Sequence, residues 1–212
     1  MKKDDHSSNK DKAKRRLSRR GFIRGAGLTT AGTVVLQTGV KAFESTPTYA
    51  RGDLIGTDGT EIEMMVNGRK HKLHVEPRTT LTTALRDHLG FTGTKVVCDR
   101  GACSACTVFL DGKPVNACMT MALDIGQSEV TTIEGVAEGE ELHPVQEAFI
   151  EHDASQCGYC TPGMIMSSVH LLDNNANPTL DDVKHATRGN LCRCGTYPHV
   201  FKATMAAAEK MK

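Results

Sequence analysis

The eight cysteines of this 212-residue chain fall into two sets of four, and no other feature constrains the fold as strongly. The first set is Cys98-x4-Cys103-x2-Cys106, with Cys118 following after eleven intervening residues. The second is Cys157-x2-Cys160, then thirty-one intervening residues, then Cys192-x-Cys194. Thiols spaced so closely ligate metal or pair as disulfides; packing as buried free thiols would explain one or two Cys, not two sets of four. Gly101, Ala102 and Ala105 keep side chains out of the first loop, so its backbone can wrap closely around a compact core. In the second set each pair stands just before a predicted helix, where free backbone N–H groups stabilise negative charge on sulfur.

An x4/x2 spacing with a more distant fourth Cys is the plant-type [2Fe–2S] arrangement. Structural zinc also takes four Cys, and Cys-x2-Cys is a common zinc half-site. Three ligands at x4 then x2, and a Cys-x-Cys half-site, are atypical of it. Four disulfides would suit an exported chain, but 212 residues are enough to build ordinary cores. Zinc and disulfides stay open as lesser readings beside iron–sulfur ligation.

The net charge of +1 conceals an uneven distribution. Residues 1–20 carry nine Lys/Arg against three Asp, while residues 51–212 carry 15 Lys/Arg against 21 Asp/Glu. The acidic body has no basic stripe for nucleic acid, so no nucleic-acid partner is expected. Ser18-Arg19-Arg20-Gly21-Phe22-Ile23-Arg24 precedes sixteen uncharged residues, Gly25 to Val40. That run is too short and too rich in Gly and Thr for a stable membrane span. Order and composition describe an export leader over 1–50, and the paired Arg before Phe-Ile resembles a twin-arginine signal. A periplasmic location is expected, with cleavage after Ala42 or Ala50.

Two further regions follow. Ile62–Val66, Asn67-Gly68 and Lys70–Val75 read as a hairpin, because Asn-Gly supplies the positive φ of a tight turn. Leu81, Leu85 and Leu89 predict an amphipathic helix over 80–89. A second hairpin is expected over 107–118 around Asp111-Gly112, then a strand over 129–133. From 143 the pattern is helical: segments 143–151, 161–173, 179–187 and 200–210, with Pro162 in a first turn and Thr179/Asp182 as a cap pair. The expected domains are 60–135, a small sheet with one helix, and 143–212, all helical, joined by a Gly- and Glu-rich linker over 135–141.

Three strings carry a resemblance to a family. They are Gly93-Thr94-Lys95-x-x-Cys98-Asp99-x-Gly101-x-Cys103-x-Ala105-Cys106-Thr107-Val108, Gln156-Cys157-Gly158-Tyr159-Cys160-Thr161-Pro162-Gly163-Met164 and Gly189-Asn190-Leu191-Cys192-Arg193-Cys194-Gly195-Thr196-Tyr197. In that order they resemble the iron–sulfur subunits of molybdenum hydroxylases, the xanthine dehydrogenase and aldehyde oxidoreductase family. With the leader, the chain looks most like the small subunit of a periplasmic aldehyde oxidoreductase. The resemblance implies an α+β fold: a ferredoxin-like β-grasp [2Fe–2S] domain, then a four-helix domain with a second [2Fe–2S] cluster. It implies that Cys157, Cys160, Cys192 and Cys194 hold the cluster nearer a molybdopterin cofactor on a large partner subunit, and Cys98, Cys103, Cys106 and Cys118 the outer cluster. Gln156 and Cys194 match positions against the pterin. Lys95, Asp99 and Arg193 are read as loop-shaping or interface charges. Val97 and Ser104 depart from the family, which often has Gly at both places. Ser104 could donate to a cluster sulfur and raise its potential.

No nucleophile, paired acid and base, or phosphate loop appears, so this chain carries no catalytic residue. The implied role is electron relay from the large subunit to a flavin (FAD) subunit or a cytochrome, with an aldehyde as substrate. An N-heterocycle hydroxylase of the xanthine or isoquinoline type is the nearest alternative. A stand-alone ferredoxin-like carrier is the more distant one, disfavoured because a carrier needs only the first set.

Overall fold

The structure is a computed structural model that describes residues 56–212. The export leader expected over 1–50 lies outside the described residues.

Five strands form one mixed sheet in the order β2-β1-β5-β3-β4. Strands β1 (Thr60–Val66) and β2 (Arg69–Val75) pair antiparallel from Thr60 opposite Val75 to Val66 opposite Arg69. The turn between them has Asn67 at φ 50° and Gly68 at φ 71°, the two positive angles that Asn-Gly accommodates. Strands β3 (Thr107–Leu110) and β4 (Lys113–Asn116) form the second hairpin, turning through Asp111 and Gly112 in the same way. Strand β5 (Glu129–Thr131) pairs parallel with β1 and antiparallel with β3 and joins the hairpins.

The segment expected as a helix over 80–89 begins as one turn, α1 (Leu81–Thr83), capped by Thr80, and continues as a π-helical turn over Ala84–His88. Leu89 N–H reaches the Ala84 carbonyl, one residue beyond the α-helical partner. Leu81, Ala84 and Leu85 are buried under the sheet with Met64, Val66, Val75, Val108 and Val130. The Leu spacing therefore marked the buried face correctly but not the helix type. Strand β4 ends at Asn116, and Cys118 sits on a 3-10 turn over Ala117–Met119 rather than on the strand. Beyond β5 the chain turns again at Ile133–Gly135.

Four helices follow: α2 (Pro144–Glu151), α3 (Thr161–Asn174), α4 (Leu180–Thr187) and α5 (Tyr197–Lys210). His143 caps α2 through its ring, accepting from Val145 N–H at 3.1 Å, while Gln146 accepts from His143 N–H at 3.0 Å. Thr179 and Asp182 cap α4 reciprocally, as their spacing predicts. Helix α5 starts three residues earlier than expected, with Pro198 in its first turn; that is the same signal already read at Pro162. Val145, Phe149, Met164, Met166, Val200, Ala203 and Ala207 fill the helical core.

The described residues belong to one compact unit. Strand β3 explains why. Thr107, Val108 and Phe109 are all buried, whereas a one-faced strand would alternate. Val108 joins the core under the sheet and Phe109 joins the helical core, because α3 packs on the other face of the strand. Among the described residues no helix is long and apolar enough to cross a membrane.

Candidate metal centres

The loop 92–106 is pinned before it reaches its first thiol. Arg86 donates to the Thr92 and Thr94 carbonyls at 2.7 and 2.8 Å, and Lys95 donates to Thr92 at 2.8 Å. Gly93 N–H reaches the Glu134 carboxylate at 2.7 Å. Lys95 thus shapes the loop, in keeping with one of the two roles read for it. The loop then winds through left-handed residues Asp99 (φ 51°), Gly101 (φ 69°) and Ser104 (φ 52°). At Gly101 a Cβ would also press on Met119. The winding turns backbone N–H groups toward sulfur: Ala102 to Cys98 and Gly101 to Cys118, both at 3.3 Å.

Cys98 associates with Cys103 within this loop, and Cys106 with Cys118 on the 3-10 turn beyond β4. Cys103, Cys106 and Cys118 are buried, and Cys98 is half-buried. The Arg100 backbone hydrogen bond, against some burial, brings the Cys98 thiol down to about 7. Burial pushes Cys103 up and carries Cys106 to about 12.

The second set is assembled from helix starts. Cys160 caps α3 and Thr196 caps α5, each presenting the unpaired N–H groups of a first turn. Cys160 pairs with Cys192, and Cys157 with Cys194. Burial raises Cys160 to about 12. Burial also pushes Cys192 up, but the Thr196 hydroxyl and N–H outweigh it and bring the thiol to about 7. At Cys194 the Cys157 N–H lowers the thiol, yet the adjoining Cys157 thiol leaves it raised overall. Cys157 and Cys194 are exposed.

Among the described residues no three Cys, His, Asp or Glu converge on a single point; the thiols meet in twos, with the pairs of each set adjoining. Two thiols on each of two neighbouring metal ions is the donor arrangement of a binuclear thiolate cluster. The backbone N–H groups aimed at sulfur suit a core whose sulfurs carry negative charge. The residues fit two [2Fe–2S] clusters.

Gln156 is exposed beside Cys157. The Ser104 hydroxyl lies next to Gly189, and the Ser104 carbonyl accepts from Asn190. Three contributors carried no assigned role in the sequence: Thr196, which bonds to Cys192; Tyr197, whose hydroxyl accepts from Cys192 N–H at 2.8 Å; and Asn190, buried between the sets. All three lie inside a motif string, but spacing alone says nothing about which side chains point inward.

Fold and thiol geometry together define a protein of the iron–sulfur class. Residues 64–130 match the family described as 2Fe-2S iron-sulfur cluster binding domain, and residues 132–205 the [2Fe-2S] binding domain. The iron-sulfur-binding subunit PaoA of an aldehyde oxidoreductase from Escherichia coli is 39% identical over 211 residues, covering 92% of this chain and 90% of its own. The nicotine 6-hydroxylase small subunit of Paenarthrobacter nicotinovorans is 42% identical, covering 71% of this chain and 91% of its own. The crystal structure of quinoline 2-oxidoreductase from Pseudomonas putida 86 contains a chain that superposes with a TM-score of 0.69 at 39% identity, covering 72% of this chain and 95% of that one. The chain belongs to the iron–sulfur subunits of the molybdenum hydroxylase family and is part of an oxidoreductase.

Proposed function

We propose that this chain relays electrons from a molybdopterin site on a large partner subunit, with Cys157, Cys160, Cys192 and Cys194 holding the cluster nearer that site and Cys98, Cys103, Cys106 and Cys118 the outer one. When bound, each [2Fe–2S] cluster accepts and returns one electron at a time. The observation that carries the reading is the exposure of half of one thiol set. Cys157 and Cys194 stand at the surface with Gln156, and Tyr159 and Leu191 beside them are 59% and 56% exposed. Large apolar side chains rimming exposed ligands fit a face that a partner covers. On that face Gln156 and Cys194 are the groups that meet the pterin. The outer electron acceptor is a flavin subunit or a cytochrome.

The substrate reading is an aldehyde. The aldehyde oxidoreductase subunit aligns over 92% of this chain, a span that must reach into the first 55 residues. The nicotine and quinoline enzymes instead match about 71–72% of it and favour an N-heterocycle as the second reading. The Arg19-Arg20 leader supports export of the folded, loaded chain to the periplasm together with its partner. The reading keeps domains at 60–135 and 143–212, a division supported by the two matched families over 64–130 and 132–205. The test is to isolate the chain with its co-purifying subunits and follow bleaching of the visible iron–sulfur absorbance. Aldehydes should bleach it within a turnover, while nicotine and quinoline should not. Bleaching by the heterocycles alone selects the second reading, and the absence of any large subunit overturns both.

A further inference from the structure

The two thiol sets touch around Ser104, Gly163 and Asn190, which ligate nothing, and at the Cys103 carbonyl. Ser104 lies between Cys103 and Cys106, Gly163 lies three residues beyond Cys160, and Asn190 lies two before Cys192. Asn190 is buried, and its amide is held at both ends. Its Nδ2 donates to the Ser104 carbonyl at 3.1 Å, and its Oδ1 accepts from the Ser167 hydroxyl on α3 at 2.8 Å. Its carbonyl accepts from Tyr197 at 3.2 Å. Next in the chain, Leu191 N–H donates to the Cys103 carbonyl at 3.0 Å. This bond links a residue of one thiol set to the residue covalently preceding Cys192 of the other. Gly163 closes the contact from the α3 side, where a Cβ would run into the Ser104 carbonyl oxygen and lie 3.2 Å from Ala105 Cα.

We infer that Asn190 is a positioning residue that fixes the separation of the two cluster loops and so preserves the Cys103–Leu191 hydrogen bond between them. The inference rests on the two-cluster reading above. The Ser104 carbonyl also accepts from Thr107 N–H at 3.3 Å and Thr107 Oγ1 at 2.7 Å, so the first loop keeps its shape without Asn190. Across the contact, Tyr197 and Thr196 hold Cys192 independently. Loss of the Asn190 amide therefore alters the spacing between the loops and leaves each ligand set intact.

The test is Asn190→Asp in the full chain, isolated with its iron and any subunit that co-purifies. The substitution keeps the size and places an oxygen against the Ser104 carbonyl. Iron content and the paramagnetic signal of each cluster reduced alone should stay unchanged. The magnetic splitting between the two clusters in the fully reduced protein should narrow, and exchange of the Leu191 amide should quicken by about fivefold, the effect of one lost hydrogen bond. Ser167→Ala, which removes only the partner of Asn190 Oδ1, should move both readouts in the same direction by less. Unchanged splitting and Leu191 exchange overturn the positioning role, as does loss of iron from either set. An unsubstituted chain lacking two distinguishable signals overturns the two-cluster reading instead, while Leu191 exchange still reports on the contact.

Discussion

Three of the four thiols in the first set are buried, whereas two of the four in the second stand at the surface, although both offer four sulfurs in two pairs. Cys106 and Cys118 belong to the core under the sheet, and Cys103 is buried with them. Of the second set only Cys160 is buried, while Cys157 and Cys194 face outward. The 15-residue loop 92–106 carries three of the first set's thiols, and the core that Cys106 and Cys118 join includes Leu81 of α1 and Val108 of the sheet. Two helix N-termini supply N–H groups but enclose only one side. Enclosure therefore follows from how each ligand set is built: three of the wrapped thiols are buried by this chain, and the helix-start set is left open at Cys157 and Cys194.

The largest break in the comparison should come from Cys106→Ser set against Cys194→Ser. Each replaces a soft thiolate with a poor iron ligand. Each should lower iron by about two atoms per chain and remove one of two paramagnetic signals. Cys106→Ser in addition buries a hydroxyl in an apolar core at a cost of about 1–3 kcal/mol. Its melting temperature should fall well below that of Cys194→Ser, whose position is exposed. Equal melting temperatures would show that the two sets are equally enclosed.

Next in size is Phe109→Ala. This ring leaves the sheet to fill the helical core and lies 6.0 Å from His170. Removing it should cost about 3–5 kcal/mol by denaturant unfolding. It should separate the unfolding of the helical residues from that of the sheet; a single transition retained at wild-type midpoint would deny Phe109 its bridging role.

A smaller effect belongs to the helical half alone. His143 caps α2 only while its ring nitrogen is unprotonated, and burial lowers its pKa against an opposing pull from Asp173. Because the folded state binds the proton less readily than the unfolded chain, this stabilisation is full above about pH 6.5. It is lost as the pH falls through and below that value. His143→Asn keeps a capping side chain without the titration. The stability difference between wild type and His143→Asn should therefore shift by about 1 kcal/mol between pH 7.5 and 5; a constant difference would remove the cap from the account.

Much of this was legible in the sequence. Asn67-Gly68 and Asp111-Gly112 encode their turns by backbone chemistry, and Thr179/Asp182 encodes its cap, so those elements fall where the residues put them. The π-helical turn at Ala84–His88 was not legible, since Leu at four-residue intervals marks a buried face whatever the helical pitch. Nor was the burial of β3 on both faces, which depends on α3, more than fifty residues later in the chain. At the metal centres, spacing grouped the thiols. The pairing of Cys160 with Cys192, and the contact through Asn190, arise only when distant helices meet.

The central claim is that eight thiols hold two binuclear iron–sulfur clusters, and chemical analysis of the isolated protein tests it most directly. About four iron and four acid-labile sulfide per chain are expected, with two distinguishable signals on reduction. Stoichiometric zinc without sulfide, or iron at about two per chain in fully loaded protein, would contradict it.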